Sequence, residues 1–134
     1  MGKARAQSMS AGVTLDAGAL IALDKGDMRM IALLQQSLTQ GLGFRIPSGV
    51  VGQAWRDGRR QVALARLFTA SEVEIVPLDE ELGRACGELC GIAGTSDVID
   101  ASVVITAREY NDVIVTSDPD DLRRLDPGAN LVRI

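Results

Sequence analysis

GTSDVIDASVVITAREYNDVIVTSDPDDLRRL, residues 94–125, decides how the chain folds. GTSD supplies a turn and a capping residue, and the apolar positions after it keep helical spacing as far as Tyr110, which predicts a helix over roughly 97–110. NDVIVTSD then gives a turn and a short apolar run, read as a strand. DPDDLRRL follows as a short helix with a proline at its start. Helix, strand and helix joined by links of a few residues are the repeating grammar of an α/β protein.

The rest of the chain repeats that grammar. VTLD (13–16) is a short buried strand, and AGALIALDKGD is a helix stopped at Gly26. Asp27 is placed to cap MRMIALLQQSLTQ, which Gly41 and Gly43 end. FRIP (44–47) reads as the second strand, with Ser48 as a plausible cap for a helix over GVVGQAWRDG. RRQVALARLFTA is amphipathic, with Val62, Leu64, Leu67 and Phe68 apolar and Arg59, Arg60 and Arg66 polar. EVEIVPL (72–78) is the third strand, Asp79 with Glu80 and Glu81 opens a helix to about Ala93, and NLVRI (130–134) is the last strand. The alternation predicts one α/β domain over 13–134 with a largely parallel sheet of four to five strands and right-handed crossovers. Residues 1–12, MGKARAQSMSAG, have no period and read as a flexible tail.

Composition narrows the chemistry. The 134 residues are 46% hydrophobic, enough for a sizeable core, and contain no histidine. That removes the usual general base and every Ser-His or Cys-His pair, leaving carboxylates, hydroxyls or a bound metal. Cys86 and Cys90 lie four apart on a helix, so they share a face as buried thiols instead of forming a CxxC pair. With no apolar run of membrane-spanning length and no signal-like N-terminus, a soluble cytoplasmic protein is expected. The net charge of −4 hides an asymmetry: residues 1–70 hold nine Lys or Arg against four acids, and residues 71–134 hold five against fourteen. A uniformly basic nucleic-acid surface is unlike this chain, whereas an acidic pocket flanked by arginines fits it.

In parallel α/β sheets, function collects at the carboxyl ends of the strands. Asp16 closes the first strand, Asp118 follows the fourth, and Asp97 and Asp100 start the helix that feeds the fourth strand, so all four point to one sheet edge. Capping competes with chemistry as an explanation for Asp118 and Asp97; it explains Asp16 poorly. Asp100 lies on an otherwise apolar face, beside Val103 and Val104, where a carboxylate is costly unless paired or metal-bound. Clustered carboxylates raise one another's pKa unless a cation lies between them, and an all-oxygen set suits Mg²⁺ or Mn²⁺. Such a site can activate water for attack on phosphorus without histidine. Asp120 and Asp121 are assigned to the N-terminus of the helix that Pro119 starts.

VTLDAGALIAL, IPSGVVGQAWR and DASVVITAREYNDVIVTSDPDDL together resemble the PIN-domain family, the ribonuclease fold of VapC toxins in toxin-antitoxin pairs. The resemblance implies a three-layer α/β/α sandwich, Mg²⁺- or Mn²⁺-dependent cleavage of RNA, a homodimer, and a VapB-type antitoxin that occludes the site. It places the family's first, third and fourth acids on Asp16, Asp100 and Asp118, with Asp97 beside the third and Thr116 or Ser117 orienting the fourth or a metal water. The second acid is where this chain departs: the expected glutamate is Gln53, which carries no charge and cannot act as a base. Asp57, one turn on, would compensate only if the helix turned it inward. Arg56, Arg59 and Arg60 suit an RNA phosphate track, although a solvated helix face is the commoner meaning of such arginines. The alternative is a non-catalytic PIN-like module that binds an antitoxin or RNA. A receiver domain would need a lysine after a late strand, and a haloacid-type phosphatase would need DxD at the first; only Lys3 and Lys25 occur, and Asp16 is followed by Ala17 and Gly18.

Overall fold

The computed structural model describes residues 12–134. In chain order the strands are β1 (Val13–Leu15), β2 (Phe44–Pro47), β3 (Val73–Val76), β4 (Val113–Thr116) and β5 (Leu131–Arg133). The helices are α1 (Ala17–Asp24), α2 (Met28–Thr39), α3 (Ser48–Ala54), α4 (Val62–Thr69), α5 (Glu80–Ala93), α6 (Val98–Tyr110) and α7 (Pro119–Leu125). The strands form one sheet in the order β3-β2-β1-β4-β5, and every pairing is parallel. This is the expected α/β/α architecture, with five strands and no antiparallel member among the described residues.

The order places β1 at the centre. The chain winds outward through β2 and β3, returns through α5 and α6 to set β4 on the other side of β1, and ends at β5. The direction of winding therefore reverses between β1 and β4, and the loops after those two strands splay apart to leave a crevice there. Leu15, Phe44, Ile46, Ile114 and Val115 are almost wholly buried in this centre. Truncating Leu15 or Ile46 to alanine would cost about 2–5 kcal/mol.

α6 aims its N-terminus at the crevice and is buried around much of its circumference, with Ala101, Ser102, Val103, Val104, Thr106 and Ala107 all enclosed. It packs against α5, whose Cys86 and Cys90 face inward as free thiols, as their spacing predicted. Gly94 ends α5 in the left-handed conformation at φ +74°, which a side chain would strain, and Asn111 ends α6 the same way. No single helix among the described residues is long and apolar enough to cross a membrane.

Local departures from the sequence reading have local causes. Gly12, placed in the tail, donates its N–H to Asp112 Oδ1 at 3.0 Å and belongs to the fold; residues 1–11 of the expected tail lie outside the described residues. Ser48 does not cap α3, because its hydroxyl accepts from the Leu78 N–H at 3.0 Å. α3 also stops at Ala54, earlier than GVVGQAWRDG suggests. The buried Gln61 side chain reaches back, its Oε1 accepting from the N–H of Arg56 at 2.7 Å and of Asp57 at 3.0 Å. Those amides are drawn away from the next helical turn.

Candidate active site

The crevice between the ends of β1 and β4 is an acidic cleft of about 310 Å³, lined by Asp16, Gln53, Asp97, Asp100, Asp118 and Asp121 among others. Three separate segments deliver the acids: the β1–α1 junction, the cap and first turn of α6, and the β4–α7 junction with the first turn of α7. The expected acids are thus brought together, and Gln53 faces the same cleft from α3. Asp57 is not brought there. Beyond the end of α3 it accepts from the Arg59 N–H at 3.1 Å and lies against the Arg59 and Arg60 guanidinium groups.

Thr116 is the joint between β1 and β4. Its fully buried hydroxyl donates to Asp16 Oδ2 at 2.7 Å and accepts from the Asp118 N–H at 3.0 Å. One side chain thereby sets the rotamer of the first acid and the backbone of the last. The other Asp16 oxygen accepts from the Ala17 N–H, so Asp16 does cap α1, contrary to the expectation that capping explains it poorly. Asp97 caps α6 by accepting from the Asp100 N–H at 2.9 Å. Asp118 occupies the position before α7 yet makes no capping bond through its side chain, which leaves that carboxylate to the cleft. Ser117 also lines the cleft and lies directly over Gly18: a Cβ at Gly18 would fall 1.9 Å from Ser117 Oγ.

Asp121 is the acid that reading the sequence missed. Taken only as a dipole-complementing residue of α7, it turns into the cleft beside Asp118. The signal was the spacing: Asp118 and Asp121 are three apart, as Asp97 and Asp100 are, and residues three apart share a helix face.

The electrostatics follow from this crowding. Asp100 is pushed up to about 7, first by burial and then by the charges of Asp97 and Asp16, a hydrogen bond with Asp97 and the charge of Asp121. Asp118 is raised by its hydrogen bond and charge contact with Asp121. Burial raises Asp16, against the opposing pull of the Thr116 and Ala17 hydrogen bonds. The flanking cation is Arg56, which lines the acidic cleft and also the adjoining one that contains Arg60. Arg59, 93% exposed, lies outside both.

A parallel α/β/α sheet with aspartates gathered at its reversal point is the architecture of PIN domains, which are generally nucleases. The chain belongs to the PIN-domain family, whose model matches residues 13–127. Among solved structures it resembles VapBC2 from Rickettsia felis bound to a DNA fragment from their promoter, at TM-score 0.65 and 19% identity over 91% of this chain and 98% of that one. It also resembles FitAB bound to an IR36 DNA fragment, at TM-score 0.62 and 13% identity over 90% of this chain and 94% of that one. FitAcB from Neisseria gonorrhoeae is similar at TM-score 0.59 and 15% identity, over 90% and 96%. No curated protein matches the chain in sequence.

PIN-domain nucleases typically use a divalent metal. The residues here fit such an ion in kind: the donors are all oxygen, and the carboxylates hold raised pKa values that a cation would lower. Among the described residues no three Asp, Glu, His or Cys side chains are already gathered into a metal-holding set.

Proposed function

We propose that the protein is a Mg²⁺- or Mn²⁺-dependent endoribonuclease, the toxin of a toxin-antitoxin pair. The observation that carries this reading is the convergence of Asp16, Asp97, Asp100, Asp118 and Asp121 on one cleft at the β1/β4 reversal of a PIN domain. Asp16, Asp100 and Asp118 would hold the ion, drawing together on it, with Asp97 beside them. Once bound, the cation supplies a water of lowered pKa and offsets the charge of the phosphodiester.

The chain's own groups do the positioning. Thr116 fixes Asp16 and the Asp118 backbone at once, so the first and last acids move together. Asp97 fixes the first turn of α6 and with it Asp100. Gln53 contributes an amide that can hold a water or a phosphate oxygen, without charge. Arg56 and Arg60, with Arg59 near them, draw in the RNA backbone.

Similarity to the structures of VapBC2 and FitAB supports a VapB-type antitoxin as partner. A homodimer in a reducing cytoplasm completes the reading, the two thiols being buried and unpaired. A second reading is a non-catalytic PIN module that still binds its partner. It is favoured by the neutral Gln53 in the cleft and by the absence of a preformed three-ligand set among the described residues.

Cleavage of RNA with and without Mg²⁺ or Mn²⁺, using wild type and Asp16→Asn, separates the two. Metal-dependent cleavage lost in the variant supports the enzyme; equal cleavage by both proteins excludes it, and antitoxin binding without any cleavage selects the second reading.

A further inference from the structure

Between the edge strand β3 and the helices α5 and α6 lies a groove of about 390 Å³ that shares no lining residue with the acidic cleft. Its volume falls among small-molecule sites, which run from about 300 to 1,000 Å³. The carboxylates along it stand in two groups. Glu74, near the start of β3, and Glu109, near the end of α6, lie with Tyr110 at one end; Asp79 and Glu81, where α5 begins, lie at the other. The Tyr110 hydroxyl donates to Glu74 Oε2 at 3.1 Å and closes the first group. Val76, Pro77, Leu82 and Ile105 give the stretch between the groups an apolar wall. From Glu74 to Asp79 the chain advances at most about 16 Å.

Among the described residues no Lys or Arg lines this groove. The arginines nearest along α5 and α6 are engaged elsewhere, Arg84 with Glu80 at 2.7 Å and Arg108 with Asp126 at 3.0 Å. Burial, then the charge and hydrogen bond of Glu74 and the charge of Glu109, raise the Tyr110 phenol above its ordinary value, so it stays a neutral donor.

Acids alone would make only a solvated surface. The independent sign is Thr106, which is 2% exposed, forms part of the groove's wall, and leaves its Oγ1 without a hydrogen-bond partner. A helical threonine ordinarily satisfies its hydroxyl on a carbonyl one turn back, as Thr39 and Thr69 do at 2.9 and 3.2 Å. Among the described residues one other buried side-chain atom lacks a partner, Arg45 Nε, and its guanidinium packs against the ring of the same Tyr110 at 4.2 Å. Buried polar atoms without partners mark a place where a bound group is missing.

We propose that this groove binds a linear aliphatic polyamine: ammonium groups meet Glu74 and Glu109 at one end and Asp79 and Glu81 at the other, methylenes cover Val76, Leu82 and Ile105, and one N–H donates to Thr106 Oγ1. A hydrated metal ion would leave the apolar stretch uncovered, and a lone lysine or arginine of a protein partner would neutralise only one of the two groups. Charges separated by methylenes match the whole groove. The site needs neither a bound metal nor RNA, so it stands apart from the nuclease reading.

The test is calorimetric titration of spermidine into the full chain, without RNA and at fixed ionic strength. Wild type should bind one equivalent, with putrescine and Mg²⁺ at least tenfold weaker. Both groove glutamates are exposed, so Glu74→Gln and Glu81→Gln keep the fold, and each should weaken binding about fivefold. Asp118→Asn/Asp121→Asn, which removes charge from the acidic cleft, should leave it unchanged. Thr106→Val should weaken binding yet raise the melting temperature of the free protein, because it removes an unpaired buried hydroxyl; Thr106→Ser should bind as wild type does. No binding, equal binding of Mg²⁺ and spermidine, or a loss in the cleft variant with none in the groove variants overturns the proposal, and none of these results bears on RNA cleavage.

Discussion

Asp100→Asn should stabilise the metal-free protein at alkaline pH while disabling it. The Asp100 carboxyl has an ordinary value of 3.8 and is lifted to about 7 by burial and by its acidic neighbours. At about 1.4 kcal/mol per pH unit, a carboxyl held that far up would correspond to about 4 kcal/mol. The cleft is open to water, so screening reduces the expected effect to about 1–2 kcal/mol. The sign is fixed by proton binding: between about pH 4 and pH 7 the folded state holds a proton here that the unfolded chain has lost. This group's contribution is therefore complete below about pH 4 and disappears as pH rises through about 7. Asparagine mimics the neutral form at every pH. Thermal unfolding in chelator should show the variant melting about 3–8 °C above wild type near pH 8, with the gap closing toward pH 4. Saturating Mg²⁺, at about 100 times its Kd, should raise wild type by about 2.7 kcal/mol and the variant by much less. A variant no more stable than wild type at pH 8, or a gap that does not depend on pH, would refute the claim that unrelieved carboxylate repulsion is built into this cleft.

Thr116→Val removes a buried hydroxyl that serves both Asp16 and the Asp118 N–H; denaturant titration should show a loss of about 1–3 kcal/mol, and Thr116→Ser should recover most of it. Gly18→Ala would drive a Cβ against Ser117 Oγ and displace the β4–α7 loop, so RNA cleavage should fall sharply and return in Gly18→Ala/Ser117→Gly. Gly52→Ala, in the same region of α3 but with nothing within 4 Å of the new Cβ, should be neutral or stabilise by about 0.5–1 kcal/mol. Gln53→Glu adds a charged ligand to the cleft, and the Mn²⁺ concentration for half-maximal cleavage should drop about tenfold. If it does not, Gln53 is not standing where an acid would serve the metal.

The order of strands and helices was legible because each unit carries its own punctuation, such as Gly26, Gly41 and Gly43, and the acids after β1 and β4 could be placed by the sheet-edge rule alone. What could not be read depended on contacts distant in sequence. α3 ends where Gln61 takes its next amides, and Ser48 is diverted to Leu78, 30 residues away. Asp121 was hidden for a different reason. An acid in the first turn of a helix already has a sufficient explanation in the dipole, and only the burial of Pro119 and Leu122 shows which way that turn faces.

The opposite end of the sheet explains how so crowded a cleft keeps its geometry. Asp112, just before β4, accepts from the Gly12 N–H at 3.0 Å and from Thr14 Oγ1 at 2.8 Å, and pairs with Arg45 of β2 at 3.2 Å. Arg45 in turn lies under the Tyr110 ring at 4.2 Å. β1 and β4 are only three and four residues long, and they pair Val13 with Val113 and Leu15 with Val115. Asp112 is the zero mark of that ruler. A slip of one residue at its end would turn Thr116 away from Asp16 and send it to the other side of the sheet. The alignment of the cleft's carboxylates is therefore gauged from the far edge of the sheet, and damage to a residue distant from the cleft would be read out as their misregistration.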